Sequence, residues 1–322
     1  MSTSETAEQT KPFVRPDVAG LLAFLNASPA PPIGVLPPAE ARASYLAMLP
    51  LAEADPRPLA VIKDLTCPGT AGPIPLRFYD PRETREPGPV VMFFHGGGFV
   101  IGDLDTHHAL CTEIAAELDL PVVAVHYRLA PEHKFPAAVD DCEAAARWVA
   151  GSPAELGHHA TGLITIGDSA GGNLAIVVAQ ALGDAPAAVP VVLQAPIYPL
   201  SDEKTDHAST LEFGEGHLLT KVSMDWFHAA YAAEAGNVRG YPIHGDHAKA
   251  PPTVLITASL DPIRDSGRLY GEALVRAGSD VIFMEMKGTI HGFTTLRKAI
   301  PSGQADMARI FAAMKLLLGA PT

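Results

Sequence analysis

Four short segments of this chain carry residues whose types and spacing could activate a hydroxyl and receive a developing negative charge. The first is Gly167-Asp168-Ser169-Ala170-Gly171. An apolar run, Leu163 to Ile166, precedes it and a helical pattern follows. That is the strand–turn–helix setting a G-x-S-x-G nucleophile elbow needs. The serine must stand on a sharp, strained turn, and residues two before and two after it crowd the backbone, so only small ones fit. A helix opening at Ala170 aims its positive end at the charge that attack would create. The plainer reading is a glycine-rich strand–helix turn that binds a phosphate. The second segment is His95-Gly96-Gly97-Gly98-Phe99, directly after the apolar run Val90 to Phe94. Glycines there let backbone N–H groups turn inward toward an oxyanion, each such donor contributing about 3–4 kcal/mol. The backbone N–H groups of Gly97, Gly98 and Ala170 are the expected donors, and His95 is expected to hold the loop by hydrogen bonds. The plainer reading is a flexible loop.

A serine hydroxyl is a weak nucleophile at neutral pH and needs a base. Behind a serine elbow of this kind, chain order runs Ser, acid, His. Of 13 histidines, His291 lies where the base belongs. It sits in Lys287-Gly288-Thr289-Ile290-His291-Gly292-Phe293, after the apolar run Val281 to Met284 and before the last helical pattern. His217, His228, His244 and His247 fall in a different stretch, described below. The acid that orients the base is expected at Asp261, just past the run Val254 to Thr257, where carboxyl ends of parallel strands place sites. Asp265 is its rival, but it stands where a helix begins, and an N-terminal cap is its ordinary role.

These residues need a scaffold. Six short apolar runs, Val90–Phe94, Val122–His126, Leu163–Ile166, Val191–Ala195, Val254–Thr257 and Val281–Met284, read as strands buried on both faces of a parallel sheet. Helical patterns alternate with them: one opened by Pro136 with a stripe at Val139, Cys142, Ala146 and Val149, one after Ser169, one from Asp265 to Ala277, and a last one through Met307, Ile310, Phe311 and Met314 that stops at Gly319. Strand–helix alternation predicts an α/β fold with a doubly wound sheet. Two regions break the pattern. The first fifty residues show helical runs at Val18–Asn26 and Glu40–Leu49 around a Pro-rich stretch, Ser28–Pro38, and no strand. Leu200 to about His247 is too long for a simple connection and reads as helical through Lys221 to Ala235. Together they are expected to form a lid over one end of the sheet, with Leu21, Leu22, Leu25, Val222, Trp226 and Phe227 as its apolar faces.

Composition narrows the chemistry further. The chain of 322 residues carries a formal net charge of −13, which disfavours a nucleic-acid partner. Three cysteines, Cys67, Cys111 and Cys142, form no CxxC pair and no zinc spacing, and Cys142 reads as core. The polar stretch Met1–Arg15 has no apolar core of a secretory signal, and no run approaches a membrane span, so a cytoplasmic protein is expected.

With those residues in place, the chain resembles the hormone-sensitive-lipase-like esterases, the bacterial family IV branch of the α/β-hydrolase superfamily. The matching stretches are His95-Gly96-Gly97-Gly98, Gly167 to Asn173, Asp261-Pro262-Ile263-Arg264-Asp265 and His291-Gly292-Phe293, with Tyr127 to Glu132 and Phe135 to Ala138. The resemblance implies an α/β-hydrolase fold: a mostly parallel, eight-stranded central sheet flanked by helices, with a helical cap from the N-terminus and a mid-chain insertion. On that reading residues 1–55 begin the cap, 56–199 form the first part of the core, 200–247 the cap insertion and 248–322 the rest of the core. It also implies Asp261 rather than Asp265 as the acid, no cofactor, a small-molecule ester with a short acyl chain as substrate, and often a homodimer. An amidase or lactonase could use the same three residues. A non-catalytic small-molecule receptor is a further reading, since plant gibberellin receptors resemble this family but lack the histidine that His291 supplies here.

Overall fold

The computed structural model of the protein describes residues 11–27 and 31–319, so the readings that fall on 1–10 and 28–30 lie outside the described residues. In chain order the elements are helices α1 (Pro16–Asn26) and α2 (Pro38–Ala52), then strands β1 (Val61–Gly69), β2 (Gly72–Asp80) and β3 (Gly88–Phe94). Next come α3 (His108–Leu118), β4 (Val122–Val125), α4 (Ala137–Ala150), β5 (Ala160–Asp168), α5 (Ala170–Asp184) and β6 (Val191–Ile197). Two more helices, α6 (Ala208–Phe213) and α7 (Lys221–Tyr231), precede β7 (Thr253–Leu260), α8 (Arg264–Arg276), β8 (Val281–Ile290) and α9 (Ser302–Leu317).

The strands form one eight-stranded sheet in the order β1-β2-β4-β3-β5-β6-β7-β8. β1 and β2 are antiparallel, as is the β2–β4 pair, and every other pairing is parallel. The six apolar runs of the sequence are the six parallel strands. In β3 the pleat sends Val90, Met92 and Phe94 into a core shared with α4 and α5, while Val91 and Phe93 join α3 and α9 on the opposite face. That two-sided burial is why these strands read as unbroken apolar runs.

The hairpin β1–β2 has no such run. β1 alternates half-buried and exposed residues, and β2 carries Pro73 and Pro75 near its start, which is tolerated toward a sheet edge. Helix α3 is also absent from the sequence reading, because it is buried nearly all round and shows no one-sided stripe. The helical reading through Ala235 runs four residues too far. Ala232 turns left-handed (φ 56°), and the Tyr231 carbonyl accepts from the Phe135 N–H at 3.0 Å, a tertiary partner that ends the helix there. Helix α9 stops as expected, with Gly319 at φ 68° bonding back to Leu316.

α1, α2, α6 and α7 stand outside the strand–helix alternation, in the two regions the sequence set apart. Arg15, before α1, donates its N–H to the Gly288 carbonyl at 3.0 Å and pairs with Asp306 at 2.5 Å. Arg42 of α2 donates to the carbonyls of Val100 (2.8 Å) and Ala130 (3.0 Å). A single 3₁₀ turn, Ile33–Val35, lies so close to α7 that a Cβ on Gly34 would stand 2.7 Å from the Ser223 Cα. The N-terminal segment and the insertion are therefore packed against each other.

Candidate active site

β5 ends at Asp168 and α5 begins at Ala170, leaving Ser169 at the turn with φ 57° and ψ −118°. That backbone is strained for an L-residue and persists only where its surroundings enforce it. Here they do. The Ser169 N–H donates to Ile197 of the adjacent strand at 2.9 Å, and the Ser169 carbonyl accepts from Asn173 at 3.0 Å. A Cβ on Gly171 would lie 1.9 Å from the Phe94 carbonyl oxygen, and one on Gly167 2.3 Å from that of Gly171. Glycine at both positions is a requirement of close approach.

His291 follows β8. Its Nε2 lies 2.9 Å from Ser169 Oγ and its Nδ1 2.7 Å from Asp261 Oδ2. The carboxylate of Asp261 is wholly buried, and its second oxygen accepts from the Ile263 N–H at 2.9 Å. Since a carboxylate only accepts, Nδ1 carries the imidazole proton and Nε2 presents its lone pair to the serine. Tyr198 backs the ring at 4.5 Å and shares a hydrogen bond with Thr294. Asp265 points elsewhere. Its carboxylate accepts from the Ser209 N–H at 2.9 Å and pairs with Arg264 and Arg268. It therefore ties α8 to α6; α8 has no side-chain cap, so the capping role read from sequence is not the one it performs. Of the other histidines, His244 pairs with Glu203, while His217 and His247 bond to backbone carbonyls. His228 faces the pocket, where burial holds its imidazole below the usual value.

The loop after β3 brings Gly97 and Gly98 beside Ser169 with φ 115° and 58°, values that suit glycine. The N–H groups of Gly97, Gly98 and Ala170 donate to no protein acceptor among the described residues. His95 holds the loop from behind. Its Nδ1 donates to the Gly96 carbonyl at 2.8 Å, and its ring stacks on Tyr127 at 4.2 Å. The Tyr127 hydroxyl in turn donates to the His95 carbonyl at 2.7 Å. Burial, aided by nearby His107, pushes the His95 pKa down to about 3, so this ring is neutral and structural.

These groups open into a pocket of about 570 Å³, a volume usual for small-molecule sites. Of the apolar cap residues singled out in the sequence, Leu25 and Phe227 line it. Leu21 and Leu22 instead pack with Phe213 and Ile290, Trp226 packs on the main core, and Val222 is exposed. Cys142 lies in the core, and Cys67 and Cys111 are buried thiols as well. Among the described residues no group of three side chains could hold a metal ion, and no helix is long and apolar enough to cross a membrane.

The sequence reading missed Asp168. That residue occupies the unspecified position of the G-x-S-x-G elbow, yet its carboxylate is buried and accepts from the Gly96 N–H at 2.9 Å. An acidic residue fixed between two small ones, with a His-His pair at 107–108 to complement it, was the available signal.

Comparison with known proteins agrees with this fold. A family model described as the alpha/beta hydrolase fold matches residues 91–295. The carboxylic ester hydrolase LipN of Mycobacterium tuberculosis is 38% identical over 265 residues, covering 79% of this chain and 70% of that protein. The ethyl acetate hydrolase of Pseudomonas putida is 34% identical over 248 residues, covering 75% and 78%. Among solved structures, the ester-hydrolase EH1AB1 from the metagenome of Lake Arreo superposes with a TM-score of 0.90 at 36% identity, covering 95% of this chain and 100% of the other. The hyperthermophilic esterase of Pyrobaculum calidifontis gives 0.88 at 34% identity, covering 95% and 99%. A matching fold, the motifs in their order and relatives of this identity over most of their length place the chain in the hormone-sensitive-lipase-like, family IV esterases of the α/β-hydrolase superfamily.

Proposed function

We propose that the protein hydrolyses short-acyl carboxylic esters through a Ser169–His291–Asp261 triad and an acyl-enzyme intermediate. The observation that carries this is the unbroken chain from Ser169 Oγ to His291 Nε2 (2.9 Å) and from His291 Nδ1 to Asp261 (2.7 Å), opening into the pocket beside three N–H groups without a protein acceptor among the described residues. In the reaction, Ser169 Oγ attacks the ester carbonyl carbon while His291 Nε2 takes its proton. The carbonyl oxygen becomes an oxyanion held by the N–H groups of Gly97, Gly98 and Ala170. When the carbonyl re-forms, the C–O bond to the alcohol breaks and His291 gives its proton to the departing oxygen. Water then attacks the acyl-Ser169 ester by the same steps, releasing the acid. Asp261 keeps the imidazole oriented and stabilises its charged form in both halves. Ser169, His291, substrate and water account for every proton and electron pair moved.

Two features support a small, mainly apolar ester. The pocket is walled by cap residues such as Leu25, Ile33, Leu36 and Met48, with Phe227 close to the oxyanion loop. A relative is named for acting on ethyl acetate. Residues 1–55 and 200–247 act as the cap on this reading, over the core formed by 56–199 and 248–322. Release of aryl alcohol from a panel of aryl esters of increasing acyl length, run beside the matching anilides and a lactone, tests the proposal. Ester turnover exceeding amide and lactone turnover is expected. Faster anilide cleavage would assign an amidase, and saturable binding without turnover would assign a receptor.

A further inference from the structure

Asp168 immediately precedes Ser169, and Gly96 immediately precedes Gly97. One carboxylate joins these two neighbours. Asp168 Oδ1 accepts from the Gly96 N–H at 2.9 Å, and a Cβ on Gly96 would stand 2.4 Å from Asp168 Oδ2, so the carboxylate lies flat against the loop backbone. Asp168 also faces a buried histidine, at ion-pair distance. His107 Nε2 lies 3.2 Å from the same Oδ1, with the imidazole side chain 1% and the carboxylate 5% exposed. His107 Nδ1 is in turn 2.9 Å from Thr106 Oγ1, which donates to the Asp103 carbonyl at 2.9 Å. The loop from Gly96 to His107 is thus closed on the residue before the nucleophile.

A buried carboxylate is costly unless paired and hydrogen-bonded. Burial pushes Asp168 up, but His107 and the Gly96 N–H outweigh it and hold the group below its ordinary value. Its negative charge also lies near the place where an oxyanion would form, which by itself is unfavourable. A folding staple needs no charge there. A residue that must hold one peptide at one distance from the elbow benefits from charge-assisted bonds, which are shorter and stronger than neutral ones.

We infer that Asp168, seated by His107, is a positioning residue that fixes the oxyanion loop against the nucleophile elbow and so sets the distance from the Gly97 and Gly98 N–H groups to the reacting carbonyl oxygen. This rests on the esterase reading and adds to it a residue outside the triad and the donors. The pair acts on the transition state through the backbone it holds. Its loss therefore lowers kcat and leaves KM nearly unchanged.

The test uses the full chain with Asp168→Asn, Asp168→Ala and His107→Asn. Each variant is measured for kcat and KM on an aryl butyrate, for intact sites by phosphonate titration, and for the Ki of an aryl trifluoromethyl ketone, whose serine adduct places an oxyanion against the loop. Asp168→Ala is expected to lower kcat per titrated site by about 10²–10³, the loss that follows removal of one oxyanion donor. Asp168→Asn, which keeps an acceptor for Gly96, is expected to lose only about three- to tenfold, with His107→Asn similar, the range that one neutral hydrogen bond is worth. In all three the ketone Ki should rise by the factor by which kcat/KM falls. Unchanged ketone Ki in a variant that has lost kcat/KM would overturn the inference, as would kcat per site within about threefold of wild type in folded Asp168→Ala, since that loss is below one weak hydrogen bond. If Asp168→Ala does not fold, the same proportionality in the other two variants decides, and wild-type kcat/KM in both overturns it. Absence of aryl butyrate turnover in the wild type fails the esterase reading and this inference with it; wild-type turnover with unaffected variants fails this inference alone.

Discussion

The ring of Phe227, on helix α7, closes directly over Gly98 of the loop after β3: a methyl group at that glycine would stand 2.2 Å from the ring's Cγ. Helix α7 and the loop after β3 therefore share a surface. Gly98→Ala meets both this ring and a φ of 58° that resists a side chain. It is expected to lower kcat/KM for an aryl butyrate by about 10², comparable to one lost oxyanion donor. Adding Phe227→Ala should recover part of that loss by removing the collision. Steady-state kinetics of the single and double variants check this, and additive losses would show that the contact is not what constrains residue 98.

The walled pocket predicts a turnover in the acyl-length profile. Each CH₂ that gains burial contributes about 0.8 kcal/mol, so kcat/KM should rise at first. Beyond the wall, overpacking costs about 1–3 kcal/mol and it should fall. The family resemblance puts the maximum near about four to six carbons; the rise and fall themselves follow from the burial and packing terms. Deleting residues 1–40 removes Leu25, Ile33 and Leu36 from the wall. That variant should show a raised KM and a flatter profile, with phosphonate labelling of Ser169 retained. An unchanged profile would remove the N-terminal segment from the pocket, and a best substrate with sixteen carbons would contradict the walled pocket altogether.

Asp261 and Asp265 are four residues apart but do different work. Asp261→Asn should cost about 10⁴ in kcat, because a neutral amide no longer selects the tautomer that presents Nε2 to Ser169. Asp265→Asn should stay within about tenfold, losing part of a charge-assisted link between α8 and α6. The kcat of each variant at saturating ester decides between them, and the reverse ranking would reassign the acid.

One ion pair ties the end of α2 to the segment after His291. Arg297 Nε donates to Glu53 Oε1 at 2.7 Å, with both side chains at most 5% exposed. Burial pushes the Glu53 carboxyl up, and the guanidinium counters it. Arg297→Met leaves that carboxyl buried without its cation and should lower unfolding free energy by about 3–5 kcal/mol. Arg276→Ala breaks the exposed pair with Glu272 and should change it by less than about 0.5 kcal/mol. Urea unfolding of the two variants measures the contrast; equal effects would mean that the Arg297 pair is not closed off from water.

What was legible in the sequence follows from the physics of each element. Parallel strands buried on two faces write themselves as apolar runs, and strained turns beside close-packed backbone demand glycine, so β3 to β8 and the neighbourhoods of Ser169 and His291 could be read directly. The β1–β2 hairpin, half-exposed and carrying Pro73 and Pro75, leaves only a weak alternation. The end of α7 was hidden because a tertiary bond from Phe135, rather than any local breaker, stops it. Cap residues could be recognised as apolar, but whether Leu22 or Leu25 faces the pocket depends on how α1 is rotated against β8 and the insertion. The role of Asp168 left only a faint trace in the sequence for a similar reason: its partners, Gly96 and His107, come from another strand's loop.

The central claim is that Ser169 is the nucleophile. Treating the wild-type protein with an aryl phosphonate and mapping the adduct by peptide mass spectrometry tests it most directly. The account predicts a single adduct on Ser169, formed in step with loss of ester hydrolysis, and no adduct in a folded Ser169→Ala variant whose kcat is lower by about 10⁴–10⁶. An adduct on any other residue, or near-normal turnover in Ser169→Ala, would contradict it.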